Sequence, residues 1–172
     1  MKQVKWFERN FKFDAVQNTF LSILERLAGT PVRLEEKFKS IPSSILNEQP
    51  GGDWSIKENL GHLSDLETLW QGRLEDIQNG AVEMRPTDLQ NTATTQAHHN
   101  DRSVNELLFR FRSLREKTIH LLEGIDEETV FKSALHPRLK TPMRTIDLFL
   151  FVAEHDDHHL ATISELTRLL KK

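Results

Sequence analysis

Two histidines four residues apart, His155 and His159, sit in an otherwise apolar line: Leu148, Val152, His155, His159, Ile163, Leu166, Leu170. Steps of three and four put all seven on one helix face. Two imidazoles therefore replace aliphatic side chains in the middle of an inward stripe. They lie one turn apart, where both reach a single ion. A third histidine, His62, shares a helix face with Ile56, Leu66 and Leu69. Three neutral imidazoles leave a divalent ion with open positions, the arrangement of catalytic rather than structural metal. Such an ion lowers the pKa of a bound water toward about 7, or binds and activates a thiolate. The competing reading is a neutral, hydrogen-bonded core histidine. It wins for one histidine, and for two the spacing alone leaves it open, although close imidazoles resist double protonation and are poorly stabilised without a metal.

The other residues narrow the chemistry. Position 156 is Asp, so the chain lacks the glutamate of H-E-x-x-H, and zincin-type proteolysis is disfavoured. There is no G-x-S-x-G setting and no glycine-rich phosphate loop. His158 falls about 100° around the helix from His159 and is expected on a flank. His98 and His99 lie in a polar connection and are expected to face solvent. His120 and His136 have no usable partner spacing. Glu58, Asp65, Glu154 and Asp156 are near a candidate ligand in sequence; each reads as a surface charge or as a hydrogen-bond partner to a ligand imidazole. Arg73 interrupts an inward line and either meets an anionic substrate or snorkels, the second being the plainer expectation.

The chain has 172 residues, 37% hydrophobic and 28% charged, with a formal charge of −3 and no cysteine. That fits one globular domain over residues 1–172. Without cysteine there are no disulfides, iron–sulfur clusters, thiolate zinc sites or cysteine nucleophile. Scattered basic residues and mild acidity give no support for nucleic-acid binding. No signal-peptide pattern and no stretch of membrane-spanning length is visible, so no membrane partner is expected and the cytoplasm is the expected location.

Positioning the histidines is the work of helices. Residues 1–13, with Trp6, Phe7 and Phe11, read as an extended N-terminal arm packing on the body or on a second copy. Val16, Phe20, Ile23, Leu24 and Leu27 open a helical stripe with a stop at Gly29, and Thr30-Pro31 restarts a short helix ended by Pro42. Ser55 and Glu58 form a capping box for a helix running to about Asn79. Ser103 and Glu106 form another, ahead of Val104, Leu107, Phe111, Leu114, Thr118 and Leu121. The last helix begins near 141–145 and runs to about Leu170. No strand period is visible outside the arm. The expected fold class is all-α, a four-helix bundle in which the long 80–102 connection crosses over, so that the second and third helices run parallel. A site shared by His62 and the last helix requires those two helices to be antiparallel. Their histidines otherwise differ in height by about 14 Å at the helical rise per residue.

Two stretches carry a family resemblance. One is Asp53-Trp54-Ser55-Ile56-Lys57-Glu58-Asn59-Leu60-Gly61-His62-Leu63, continuing through Glu67, Trp70 and Arg73. The other is Ala153-Glu154-His155-Asp156-Asp157-His158-His159-Leu160. A tryptophan-led helix start with a histidine soon after, paired with H-x-x-x-H on a terminal helix, resembles the DinB-like (DinB/YfiT) family over essentially the whole chain. The name is shared with a DNA polymerase, but no polymerase activity is implied. The resemblance implies a four-helix bundle with a crossover, commonly a homodimer, holding zinc or nickel on His62, His155 and His159. It also implies a metal-dependent enzyme acting on a small molecule, either a hydrolase or an S-transferase using a low-molecular-weight thiol. The alternative is a non-catalytic metal-binding or stress-associated protein. An open pocket at the histidines favours the enzyme, and a fourth protein ligand favours a structural site.

Overall fold

The computed structural model describes residues 3–14 and 16–171. Residues 1 and 2 of the expected arm lie outside the described residues. Four long helices carry the fold: α1 (Phe20–Phe38), α2 (Ile56–Gln78), α4 (Val104–Glu123) and α6 (Thr145–Leu170). Two short helices, α3 (Thr92–Gln96) and α5 (Glu127–Phe131), lie in the connections. Both capping boxes form: the Ser55 and Ser103 hydroxyls accept from the backbone N–H of Glu58 and Glu106, and those glutamates reach back. They fix where α2 and α4 begin.

Helix α1 packs on α4 and α6, and α2 packs on the same two helices. Contacts along each pair give the directions. Asp65 faces Arg110 and Gln71 faces Thr118, so α2 and α4 run parallel. Asn59 meets His159 while Trp70 meets Phe151, so α2 and α6 run antiparallel, as a shared histidine site requires. Arg26 meets Glu154 and Lys37 meets Ser164, so α1 and α6 are parallel. The crossover after α2 thus joins parallel neighbours, as the sequence predicts. The connection between α1 and α2 instead joins helices across the bundle's diagonal.

The sequence reading of α1 needs correction. Its helix is continuous through Gly29 and Pro31, and it starts at Phe20, leaving Val16 94% exposed. A proline in a helix interior lacks the N–H that would bond the carbonyl four residues back. Here that carbonyl, on Leu27, accepts instead from Arg115 Nη1 at 3.1 Å. A tertiary partner replaces the lost ladder bond, so the helix passes through a position where local propensity would end it.

The apolar interior comes in two parts. One gathers Ile23, Leu27, Trp70, Leu74, Leu122, Leu148 and Val152; the other gathers Leu34, Ile56, Leu60, Leu63, Phe111 and Ile163. Between them each long helix contributes polar residues: Thr30 on α1, His62 and Glu67 on α2, Arg115 and Thr118 on α4, His155, Asp156 and His159 on α6, all buried. This polar band crosses the middle of the bundle and contains the candidate site.

Past α5 the chain forms a short antiparallel hairpin, β1 (Ser133–Leu135) with β2 (Pro142–Arg144), pairing Ala134 with Met143. Three-residue strands are too short to show a period, so periodicity cannot reveal them. The hairpin is tied to the crossover by Met84 N–H to the Leu135 carbonyl at 3.0 Å and Leu135 N–H to the Val82 carbonyl at 3.0 Å. The N-terminal arm packs on its own bundle, with the Trp6 ring 4.9 Å from Phe151 and 5.0 Å from His155.

Candidate metal centre

His62, His155 and His159 converge. Each offers a ring nitrogen, and these atoms lie within 4.8 Å of one another. The ring centroids are 5.3 Å apart for His62 and His155, 4.9 Å for His62 and His159, and 4.5 Å for His155 and His159. All three residues are buried.

Hydrogen bonds fix the tautomers of two of them. Asn59 Nδ2 donates to the Ser55 carbonyl at 2.8 Å, which turns its Oδ1 toward His159 Nδ1 at 2.9 Å. An amide oxygen only accepts, so His159 carries its proton on Nδ1. Thr94 donates its hydroxyl proton to Asp65 Oδ2 at 3.0 Å and lies 2.9 Å from His62 Nδ1. With its one proton committed, Thr94 accepts, and His62 is also protonated on Nδ1. Both residues therefore present Nε2 lone pairs. His155 Nε2 faces His159 Nε2 at 3.2 Å, and the buried His155 Nδ1 has no hydrogen-bond partner among the described residues. Two facing nitrogens share one proton at most. A cation between them would fit this donor set, with His155 holding it through Nε2 and carrying its own proton on Nδ1. The outer partners are those that orient imidazole ligands in metal sites.

Electrostatics agree. Burial pushes His62 down to about 4, with Asp65 opposing and His99 adding. Burial, then the neighbouring imidazoles, hold His155 and His159 well below the usual histidine value. The cluster is neutral at pH 7, the form that ligates.

Several positions differ from expectation. His99 is buried, its Nε2 2.8 Å from Asp65 Oδ2. It packs flat on Gly61, where a Cβ would overlap the imidazole ring. That close approach, not polarity along the chain, decides its burial. His98 and His120 are exposed. His158 is half-buried on the flank, accepting from Gln3 at Nδ1. Glu58 is used in the cap, and Glu154 pairs with Arg9 and Arg26. Asp156 is buried against Arg115, which also pairs with Glu67. Asp65 alone among these carboxylates stands behind a candidate ligand, through Thr94. Arg73 is 1% exposed and does not snorkel. Thr94 and Asn59 were not singled out from sequence. Glu67 and Arg115 carried a usable signal, because each sits in step with its helix's apolar line, Leu63-Glu67-Trp70 and Phe111-Arg115-Leu122.

A cavity of about 710 Å³ opens over the three histidines, with Trp6, Trp54 and Trp70 in its walls. The Trp54 ring lies 4.6 Å from His62, and the Trp70 ring 6.0 Å from His155.

Residues 13–163 match the DinB superfamily, and the chain belongs to that family. Among solved structures it is similar to YfiT from Bacillus subtilis, described as a probable metal-dependent hydrolase with an unusual four-helix bundle topology. The two share 19% identity over 95% of this chain and 94% of that one, with a TM-score of 0.80. An uncharacterized protein from Clostridium difficile 630 shares 17% identity over 91% and 98% of the two chains, with a TM-score of 0.66. A protein from Streptococcus pneumoniae shares 15% identity over 91% and 92%, also with a TM-score of 0.66. At such identities the likeness establishes the fold. No curated protein matches the sequence. Among the described residues, no helix is long and apolar enough to cross a membrane.

Proposed function

We propose that the chain is a metal-dependent hydrolase of small molecules, holding one divalent transition metal, zinc or nickel, on His62, His155 and His159. The observation that carries this reading is the locking of His62 and His159 with Nδ1 protonated, by Thr94 and Asn59, so that both Nε2 lone pairs face one cavity. When bound, the metal supplies Lewis acidity and an open coordination position. The residues of the chain supply the rest. Thr94 and Asn59 orient the ligands, the indoles of Trp54 and Trp70 exclude bulk water, and the cavity admits a small substrate. The candidate cluster contains three histidines, and His158 is turned to Gln3. Three ligands beneath an open cavity favour an enzyme over a closed structural site.

The related S-transferase reading shares this centre and differs in needing a thiol co-substrate, so the same assay separates the two. The arm packs on its own bundle through Trp6, while Phe7 stays exposed. The decisive experiment is elemental analysis of untagged protein, wild type against His155→Ala, followed by ester and amide hydrolysis with and without added thiol. One equivalent of metal in wild type, lost in the variant, with turnover in the absence of thiol, is expected. Absence of metal even after incubation with zinc or nickel overturns the reading. Turnover strictly dependent on thiol replaces hydrolysis with transfer.

A further inference from the structure

A second cluster in the same cavity has more donors than acceptors. Arg73 on α2 is 1% exposed. Its Nε donates to the Arg85 carbonyl at 3.1 Å, its Nη1 lies 3.2 Å from His136 Nε2, and its Nη2 is buried with no partner among the described residues. His136, in the hairpin loop, is 2% exposed. Its Nδ1 is approached by the backbone N–H groups of Arg138 and Leu139 at 3.2 and 3.1 Å. A neutral imidazole has one accepting nitrogen. Both of these nitrogens face N–H groups, so one donor is left unmet in either tautomer. Unmet buried donors are costly, and a buried charge needs a partner.

A purely structural arginine in this bundle finds carboxylates, as Arg115 does with Glu67 and Asp156. Among the described residues no carboxylate pairs with Arg73. Asp76, one turn further along α2, has both oxygens taken by Arg85. Burial draws Arg73 down to about 10, with Asp76 opposing and Arg138 adding, so it remains a cation at neutral pH.

Arg73, His136 and Arg138 all line the cavity that holds the three histidines. Trp70 stands between the two clusters, its ring 6.0 Å from His155 and 5.4 Å from the Arg73 guanidinium. Phe151 continues this apolar wall, 5.7 Å from His136. We propose that Arg73, with His136 and Arg138, is a carboxylate-binding subsite. It selects small molecules with an anionic end on Arg73 and an apolar body along Trp70 and Phe151. A monoanion fits better than a phosphate dianion, because Asp53, Asp88 and Glu165 also line the cavity. Placement of the ligand's far end at the three histidines rests on the metal-enzyme reading; the subsite itself does not.

The test uses the full chain, once stripped with chelator and once loaded with zinc. The probes are 3-phenylpropionate and its neutral amide, titrated by NMR or calorimetry. In stripped wild type the carboxylate is expected to bind about tenfold or more tighter than the amide, as a charge-assisted bond to arginine dictates. Arg73→Gln is expected to bring the carboxylate down to the level of the amide and to leave the amide unchanged. If that variant does not fold, Arg138→Gln in the loop carries the same comparison, with a smaller selective loss. Equal binding of the two probes overturns the subsite, as does equal carboxylate binding by wild type and variant, or binding of neither probe. Carboxylate binding confined to zinc-loaded protein and indifferent to Arg73 removes the subsite and leaves the metal reading standing. Selective binding through Arg73 in a chain that takes up no metal keeps the subsite and removes the metal reading.

Discussion

Thr94 accepts a hydrogen bond from His62 across 2.9 Å, and it can do so only because its own proton goes to Asp65. The crossover between α2 and α4 thus supplies the group that sets the tautomer of a histidine on α2. Replacing Thr94 with Val keeps the shape and removes the acceptor. Loss of such an outer partner weakens metal sites by about ten- to a hundredfold. Thr94→Val is expected to weaken zinc binding within that range in a competition titration with a chromophoric chelator, while the far-UV circular dichroism is retained. Unchanged affinity would show that the Thr94–His62 contact does not orient a ligand.

Acid should destabilise the metal-stripped protein early. Unfolded imidazoles titrate near the ordinary value of 6.5, whereas burial holds folded His62 down at about 4 and keeps His155 and His159 well below the ordinary value. Between those limits the unfolded chain binds more protons, so stability rises with pH and is lost as pH falls below about 6.5. Each histidine contributes as much as about 1.4 kcal/mol per pH unit at the steepest part. Urea titrations at about pH 7 and about pH 5 should show this fall, and His62→Gln should reduce it. A flat profile across that interval would mean the imidazoles are not held neutral by the fold.

The stripe on α6 and the capping boxes of α2 and α4 were legible in sequence because they are local patterns of spacing. So was the need for antiparallel α2 and α6, which follows from helical rise alone. What stayed hidden depends on contacts between distant segments. Pro31 reads as a break until Arg115 is seen to take the Leu27 carbonyl. His99 reads as solvated until Gly61 is seen to leave room for its ring. Arg73 reads as a snorkelling side chain because neither the His136 loop nor the crossover can be placed on α2 from periodicity. The hairpin escaped notice since three-residue strands carry no period.

Trp6 covers one side of the histidine cluster from the N-terminal arm. Its ring meets Phe151 at 4.9 Å, His155 at 5.0 Å and His158 at 5.6 Å. The residue is half-buried, so Trp6→Ala removes only part of a full aromatic burial, and a loss of about 1–2 kcal/mol is expected. The larger effect is on access. Zinc-loaded Trp6→Ala should surrender its metal to excess chelator severalfold faster than wild type, with little change in equilibrium affinity because no ligand partner is lost. Identical release rates would place the route to the site elsewhere.

Arg115 holds the polar band together, and its removal tests whether that band is structural. Its guanidinium pairs with Glu67 at 2.6 Å and Asp156 at 2.6 Å, all three residues being almost wholly inaccessible. Burial opposes its charge, but Asp156 and Glu67 outweigh that and raise its pKa above the ordinary guanidinium value. Breaking a buried pair from one side costs about 3–5 kcal/mol, because an uncompensated charge stays inside. Arg115→Met strands two carboxylates and also orphans the Leu27 carbonyl opposite Pro31, so the upper end of that range is expected in urea unfolding. The triple change Glu67→Gln, Arg115→Met, Asp156→Asn should recover part of the stability at neutral pH, since no buried charge remains unpaired. A triple variant no more stable than Arg115→Met would mean that the cost lies in packing around Leu27 and Pro31 rather than in charge.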